Sequence, residues 1–193
     1  MNLVNFRLAL KTLKSGLPII FPTDTLPAIG CLPKFPEVIY EYKKRDKNKP
    51  LILMGSEYKQ LIDYVHESAI EDFESIALKY WPGALTMVIP SSKKESAILT
   101  STDLTLGLRI PNSHIAQSLM LLSGPLLTSS ANISGLKGSI TSEGIALDFP
   151  SLSILGPIPW EKSSGKASTI IAWNKTGDWS LIREGEVFVN DLD

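Results

Sequence analysis

Two apolar runs, each breaking abruptly into a cluster of hydroxyl side chains, constrain this chain more than any other feature. Pro125-Leu126-Leu127 gives way to Thr128, Ser129, Ser130 and Asn132 before Gly135, and Leu17 to Phe21 gives way to Pro22, Thr23, Asp24 and Thr25. Runs this short are too brief for a helix and suit buried strands, with Gly135 supplying a turn. An isolated Ser-Ser-Ala-Asn suits a turn equally well, because Ser and Asn bond their own backbone in loops. Two strands that end alike favour a ligand site, since open α/β sheets bind ligands at strand ends.

The rest of the chain alternates helical and strand signals. Phe6, Ala9, Leu10 and Leu13 keep helical spacing up to Gly16, and Val38, Ile39 and Tyr42 predict a helix beginning near Pro36. Leu51 to Met54 reads as a short strand. Ser56 stands where a cap would precede Tyr58, Leu61, Ile62 and Val65, and Ser68 with Glu71 has capping-box spacing ahead of Phe73, Ile76, Ala77 and Tyr80. Trp81-Pro82-Gly83 closes that helix. Strands are predicted at Leu85 to Ile89 and Thr105 to Ile110, with a polar loop over Ser91 to Asp103 between them. Ser113 caps a helix running to Leu122; Thr141 to Phe149 is a further helix, and Ser151 to Leu155, Ser168 to Ala172 and Trp179 to Arg183 are strands. Gly156 to Ala167, rich in Gly, Pro, Ser and Lys, is a loop, either a plain surface connection or one able to close over a ligand. This order predicts an α/β (α+β) chain, a single domain over residues 1–193 with one twisted mixed β-sheet flanked by helices.

Composition matters for what it removes. The chain has 193 residues, 44% hydrophobic, enough for one core of its own. One cysteine, Cys31, permits no internal disulfide, and its surroundings predict a buried structural thiol; with no signal-like leader, a reducing cytoplasm is expected. No apolar run approaches the roughly 18 residues of a membrane span, so no membrane partner is expected. A net charge of -1 and a pI near 6.1 argue against a dedicated nucleic-acid binder, although Lys43, Lys44, Arg45, Lys47 and Lys49 crowd together where a helix ends. Phosphate-loop, dinucleotide, nucleophile-elbow and zinc spacings are all missing, and His66 and His114 stand far apart, each read as a surface or packing residue. What remains is hydroxyl, amide, guanidinium and ammonium chemistry, suited to holding anions.

A family resemblance rests on these residues. Phe21-Pro22-Thr23-Asp24-Thr25, Lys43-Lys44-Arg45 followed by Lys49-Pro50-Leu51, Trp81-Pro82-Gly83-Ala84-Leu85-Thr86, Gly107-Leu108-Arg109-Ile110-Pro111, Ser130-Ala131-Asn132-Ile133-Ser134-Gly135 and Ser168-Thr169-Ile170-Ile171 occur in the order of the YrdC/Sua5 family. From about Phe6 to Gly185 the chain resembles its short form, without the extra C-terminal domain of Sua5. The resemblance implies a YrdC-like fold and a threonylcarbamoyl-AMP synthase, a nucleotidyltransferase forming threonylcarbamoyl-adenylate and pyrophosphate from L-threonine, bicarbonate or CO2, and ATP, for the t6A modification of tRNA. It implies that Lys43, Arg45, Lys49, Thr105, Asn132 and Arg183 face the nucleotide, with Lys43 and Arg45 catalytic. Thr25, Arg109, Ser130 and Ser168 would face threonine. Mg²⁺ is expected with ATP, its protein ligands unknown; Asp24 is the nearest carboxylate and otherwise a turn residue. Contact with tRNA and a downstream threonylcarbamoyl transferase are implied partners.

The chain departs from the family at Pro27, where a Tyr is usual, at Asp46, commonly Pro, at Met54, often His, and at Ser113, where a His is usual and His114 comes one step late. Two other readings therefore stand beside the synthase: an RNA- or ribosome-binding factor of the same fold, and a paralogue acting on a different amine.

Overall fold

The computed structural model describes residues 1–92, 104–174 and 178–189. Strand β1 (Asn2–Val4) leads into α1 (Phe6–Lys14), which Asn5 caps by accepting the Leu8 N–H at 3.1 Å while Ala9 and Leu13 turn inward. β2 (Ile19–Phe21) and β3 (Ala28–Cys31) follow, then α2 (Glu37–Lys43), β4 (Ile52–Met54), the one-turn α3 (Tyr58–Leu61) and α4 (Ile70–Tyr80). β5 (Leu85–Pro90), β6 (Thr105–Arg109), α5 (His114–Ser123) and β7 (Leu126–Ser130) form the middle of the chain. α6 (Ser142–Asp148), β8 (Ser153–Leu155), β9 (Thr169–Trp173) and β10 (Trp179–Arg183) complete it.

All the described strands join one mixed sheet in the order β1-β8-β2-β3-β7-β4-β6-β5-β9-β10. The pairs β1–β8, β2–β8, β4–β6 and β5–β9 are parallel and the others antiparallel, so the expected mixed architecture is observed. Strand alternation sorts the apolar side chains into two cores. Ile20, Ile29, Leu53, Met87, Leu108 and Leu127 face one way, onto α2, α3, α4 and α6; Ile19, Phe21, Ala28, Met54 and Leu126 face the other, onto α1 and α5. α1 and α5 cover only the β1-to-β7 half of their face. Beyond Met54 at the end of β4, the same face of β6, β5 and β9 has no helix over it among the described residues, and there the sheet lies open.

Local expectations fail in a few places. Ser56 caps no helix: Glu57 precedes α3, and the buried Ser56 hydroxyl has no partner. Ser68 and Glu71 make no capping box, because a 3-10 turn over Glu67–Ala69, capped by the His66 ring, precedes α4 and takes the Ser68 hydroxyl to His66 Nδ1 at 2.9 Å. Thr128 to Ser130 belong to β7 rather than to a turn, because their backbones pair with Ala28 to Gly30. β1 and β3 go beyond the expected strands; three or four residues, in β3 with Pro27 just before them and Gly30 among them, carry no strand signal until β2, β7 and β8 pair with them. The loop expected between Ser91 and Asp103 lies mostly outside the described residues. His66 and His114 are exposed, and Cys31 is buried, donating to the Phe35 carbonyl, its thiol pushed up to about 12 by burial.

Candidate active site

The uncovered sheet face floors a cavity of about 310 Å³. Its floor follows from alternation: Ile52 and Met54 on β4, Thr105, Gly107 and Arg109 on β6, and Thr86 and Val88 on β5 all project to one side. Thr25, Ser130, Ser168 and the guanidinium groups of Arg45 and Arg183 form the walls.

Arg109 is the anchor of one end. Although only 3% exposed, it is held on three sides, donating from Nε to the Gly83 carbonyl at 3.0 Å, from Nη1 to Thr25 Oγ1 at 2.8 Å and from Nη2 to Asp24 Oδ1 at 2.6 Å. The two turns that supply these partners are themselves fixed. Gly83 donates its N–H to the Ile110 carbonyl at 2.9 Å, and the Trp81 indole donates to the Leu85 carbonyl at 2.7 Å. Thr23 Oγ1 donates to the Leu26 carbonyl at 2.7 Å, which leaves Thr25 to donate to Thr23 and to accept from Arg109. The Phe21-to-Thr25 and Trp81-to-Gly83 motifs thus both serve to aim one guanidinium. Burial pushes the Arg109 guanidinium below its ordinary value, Asp24 pulls it back, and Arg183 adds a smaller downward push. It stays cationic, as arginine does in proteins. With three of five N–H groups engaged, two remain for a ligand.

Arg45 and Arg183 supply further positive charge. Arg45 donates from Nη2 to the Pro50 carbonyl at 3.0 Å, and its buried Nε has no partner. Arg183 donates to the Ser168 carbonyl from Nε at 3.2 Å and Nη2 at 2.7 Å. Burial lowers both guanidinium groups from their ordinary range. No carboxylate stands among the described residues lining the cavity. Three guanidinium groups on a cavity whose described lining holds no carboxylate suit oxyanions, which they can grip with paired hydrogen bonds.

The structure thus brings Thr25, Arg45, Thr105, Arg109, Ser130, Ser168 and Arg183 together. Lys43, Lys49 and Asn132 stand off the cavity wall. Lys43 is 1% exposed and its ammonium donates to the carbonyls of Ser130 and Asn132 and to Asn132 Oδ1, tying α2 to the segment after β7. Burial, and secondarily Arg45, push it down to about 7. Asn132 is spent on that segment, accepting from Ser130 Oγ and donating to the Ile133 and Leu136 carbonyls. Lys49 is exposed. The Lys43-to-Lys49 cluster therefore makes no single basic face: Lys43 is interior, Arg45 faces the cavity, and Lys47 pairs with Glu37.

Other side chains sort themselves as well. Asp24, the nearest carboxylate for a metal, is paired with Arg109, and the described residues contain no group of three His, Cys, Asp or Glu able to hold a metal ion. Asp46 is exposed, is not among the residues lining the cavity, and accepts the Asn48 N–H at 2.9 Å. Pro27 is buried with its carbonyl on the Ala131 N–H, whereas Met54 borders the cavity. Thr86, unremarked in the sequence beyond its motif, lies against Ser168; only its place two residues into a strand after the Trp-Pro-Gly turn could have pointed to it. No helix among the described residues is long and apolar enough to cross a membrane.

Comparison with known proteins agrees with this geometry. The profile of the Sua5/YciO/YrdC family, described as telomere recombination, matches residues 11–185. The threonylcarbamoyl-AMP synthase of Vibrio campbellii is 33% identical over 147 residues, 73% of this chain and 79% of that protein. The crystal structure of P. abyssi Sua5 complexed with L-threonine superposes with a TM-score of 0.85 at 29% identity, over 96% of this chain and 58% of Sua5, so this chain spans less than two thirds of that protein. E. coli YciO shares the fold, with a TM-score of 0.80 at 22% identity over 98% of this chain and 97% of its own.

Proposed function

This chain belongs to the Sua5/YciO/YrdC family, and on that premise we propose that it is a threonylcarbamoyl-AMP synthase, a nucleotidyltransferase that joins L-threonine, bicarbonate or CO2 and ATP into threonylcarbamoyl-adenylate with release of pyrophosphate. One observation carries the reading: Arg45, Arg109 and Arg183 converge on one cavity with no carboxylate among its described lining residues. A carboxylate and a triphosphate repel each other, so a site that takes both needs several fixed cations. Guanidinium groups also grip both kinds of oxyanion with paired hydrogen bonds.

Arg109, bonded to Thr25, holds the amino-acid carboxylate together with Ser168 on the same cavity, and Arg45 and Arg183 hold the phosphates. Thr105 and Ser130 border the same cavity; Lys43 and Asn132 act on the nucleotide side indirectly, by bracing the Ser130 segment, and the exposed Lys49 adds charge outside the wall. The threonine amine attacks CO2, loses a proton and becomes a carbamate. A carbamate oxygen then attacks the α-phosphorus in line, the bond to the bridging oxygen breaks, and pyrophosphate leaves with its electron pair. The protein supplies position and fixed positive charge for this step, and no covalent intermediate is needed. Mg²⁺ enters as part of the nucleotide substrate, on phosphate and water oxygens. The adenylate passes to a threonylcarbamoyl transferase acting on tRNA in the cytoplasm, with this chain working as one YrdC-like unit.

The RNA-factor reading loses its support because the basic cluster is split between interior, cavity and ion pair. Pyrophosphate release from MgATP with threonine and bicarbonate, each omitted in turn, tests the synthase, with mass spectrometry for the adenylate. Release that needs both is the expected result. A folded protein that releases none, or releases it without threonine, overturns the reading.

A further inference from the structure

Thr86 is fully buried on β5, with its Oγ1 2.9 Å from Ser168 Oγ. Among the described residues its hydroxyl has no other partner. Ser168 also receives Arg183 Nη2 at 3.3 Å, while its carbonyl takes two further N–H groups of Arg183. Burial decides which hydroxyl donates to which. Were Ser168 the donor, the Thr86 proton, on a side chain with no accessible surface although it underlies the cavity floor, would have no acceptor, an arrangement proteins avoid. With Thr86 as donor, both lone pairs of Ser168 Oγ are filled, by Thr86 and Arg183, and its own O–H is left without a protein acceptor on a side chain that borders the cavity.

We infer that Thr86 is a positioning residue that fixes Ser168 as a hydrogen-bond donor toward a ligand carboxylate in the Arg109 half of the cavity. The arrangement makes Ser168 a committed donor, strengthened by two donors behind it. Such a group welcomes an oxyanion and offers nothing to an ammonium. The identity of the ligand as an amino-acid carboxylate rests on the synthase reading; the direction of the Thr86 proton does not.

Thr86→Val keeps the shape of the side chain and removes the proton. Calorimetric binding of L-threonine and steady-state kinetics on the full chain are compared for wild type, Thr86→Val, Thr86→Ser, Ser168→Ala and the Thr86→Val/Ser168→Ala pair. Thr86→Val raises the threonine Kd and KM by up to about tenfold, the range of one hydrogen bond, with KM for ATP and kcat unchanged. Thr86→Ser restores wild-type values, and in the Ser168→Ala background Thr86→Val adds nothing. Should Thr86→Val fail to fold, Thr86→Ala replaces it in the same cycle. Equal threonine binding by wild type and Thr86→Val, additive losses in the pair, or an equal loss toward ATP overturns the inference and leaves the synthase standing. Wild type that binds no threonine removes the synthase reading and this inference with it.

Discussion

Lys43 shows how far a side chain's place on its element outweighs its type. It lies four residues after Ile39, on the same buried stripe of α2, so its ammonium enters the interior and is satisfied by carbonyls instead of water. Its folded value of about 7 lies below the usual lysine range near 10.4. Between these two values the unfolded chain binds the extra proton, so stability rises with pH across that window and the full penalty is present below about pH 7. Chemical denaturation between pH 6.5 and 9.5, values chosen to bracket that range approximately, should show this rise, and Lys43→Met should flatten it; an unchanged slope would place the ammonium in solvent. The three arginines divide differently. Arg45→Ala removes a group with one carbonyl partner and an idle Nε, so turnover should fall by roughly 100- to 1,000-fold with the melting temperature kept. Arg109→Ala leaves the half-buried Asp24 without its counter-charge and should lose about 3 kcal/mol of stability as well as activity. Parallel turnover assays and denaturation curves separate the two. None of this division was legible from residue type: the stretch from Lys43 to Lys49 reads as one basic cluster until the helix period is applied to Ile39 and Lys43.

At the scale of elements, the motifs hold one another in place. The Trp81-to-Gly83 turn and the Thr23-to-Thr25 turn hold Arg109, and the carbonyls of Ser130 and Asn132 hold Lys43. These partners lie 26 to 89 positions apart, so the sequence shows the parts but not their pairing. Helices were legible where a side chain makes the cap, as at Asn5, Ser113 and Thr141, and misjudged at Ser56 and Ser68, where a backbone turn took over. The junction of β9 and β10 carries a further dependence. A Cβ on Gly185 would lie 2.4 Å from the Ala167 carbonyl oxygen and equally close to the Ser168 and Thr169 backbone. The chain end that presents Arg183 therefore packs directly on the backbone that presents Ser168. Gly185→Ala must part them, and should cost about 1 to 3 kcal/mol together with most of the affinity for ligand, measured by melting and by calorimetry. Wild-type binding in that variant would mean that Ser168 and Arg183 act without their junction.

Across the whole molecule, a nearly neutral chain keeps its useful positive charge in one recess. The sheet carries four helices on one face and two on the other, and the cavity occupies the part of that second face which α1 and α5 leave open. The fold class was readable from the alternation of elements, whereas the strand order, which carries Thr25, Arg45 and Arg183 to a common cavity, depends on pairings between distant segments. Concentrating guanidinium groups in a recess sets like charges against one another, with Arg183 weakly opposing the Arg109 charge that Asp24 supports. An anion that fits must then stabilise the fold by mass action. At a free concentration about 100 times its Kd, MgATP should add roughly 2.7 kcal/mol, which for a chain of this length raises the melting temperature by about 5 to 10 °C. Added salt should shrink the shift, because counter-ions compete for and screen the same cations. Arg45→Ala and Arg183→Ala should each shrink it at constant nucleotide, while Lys47→Ala, whose charge is exposed and paired with Glu37, should leave it alone. Scanning calorimetry across these variants reads the result directly: a shift that survives loss of both Arg45 and Arg183 would put the nucleotide elsewhere on the molecule.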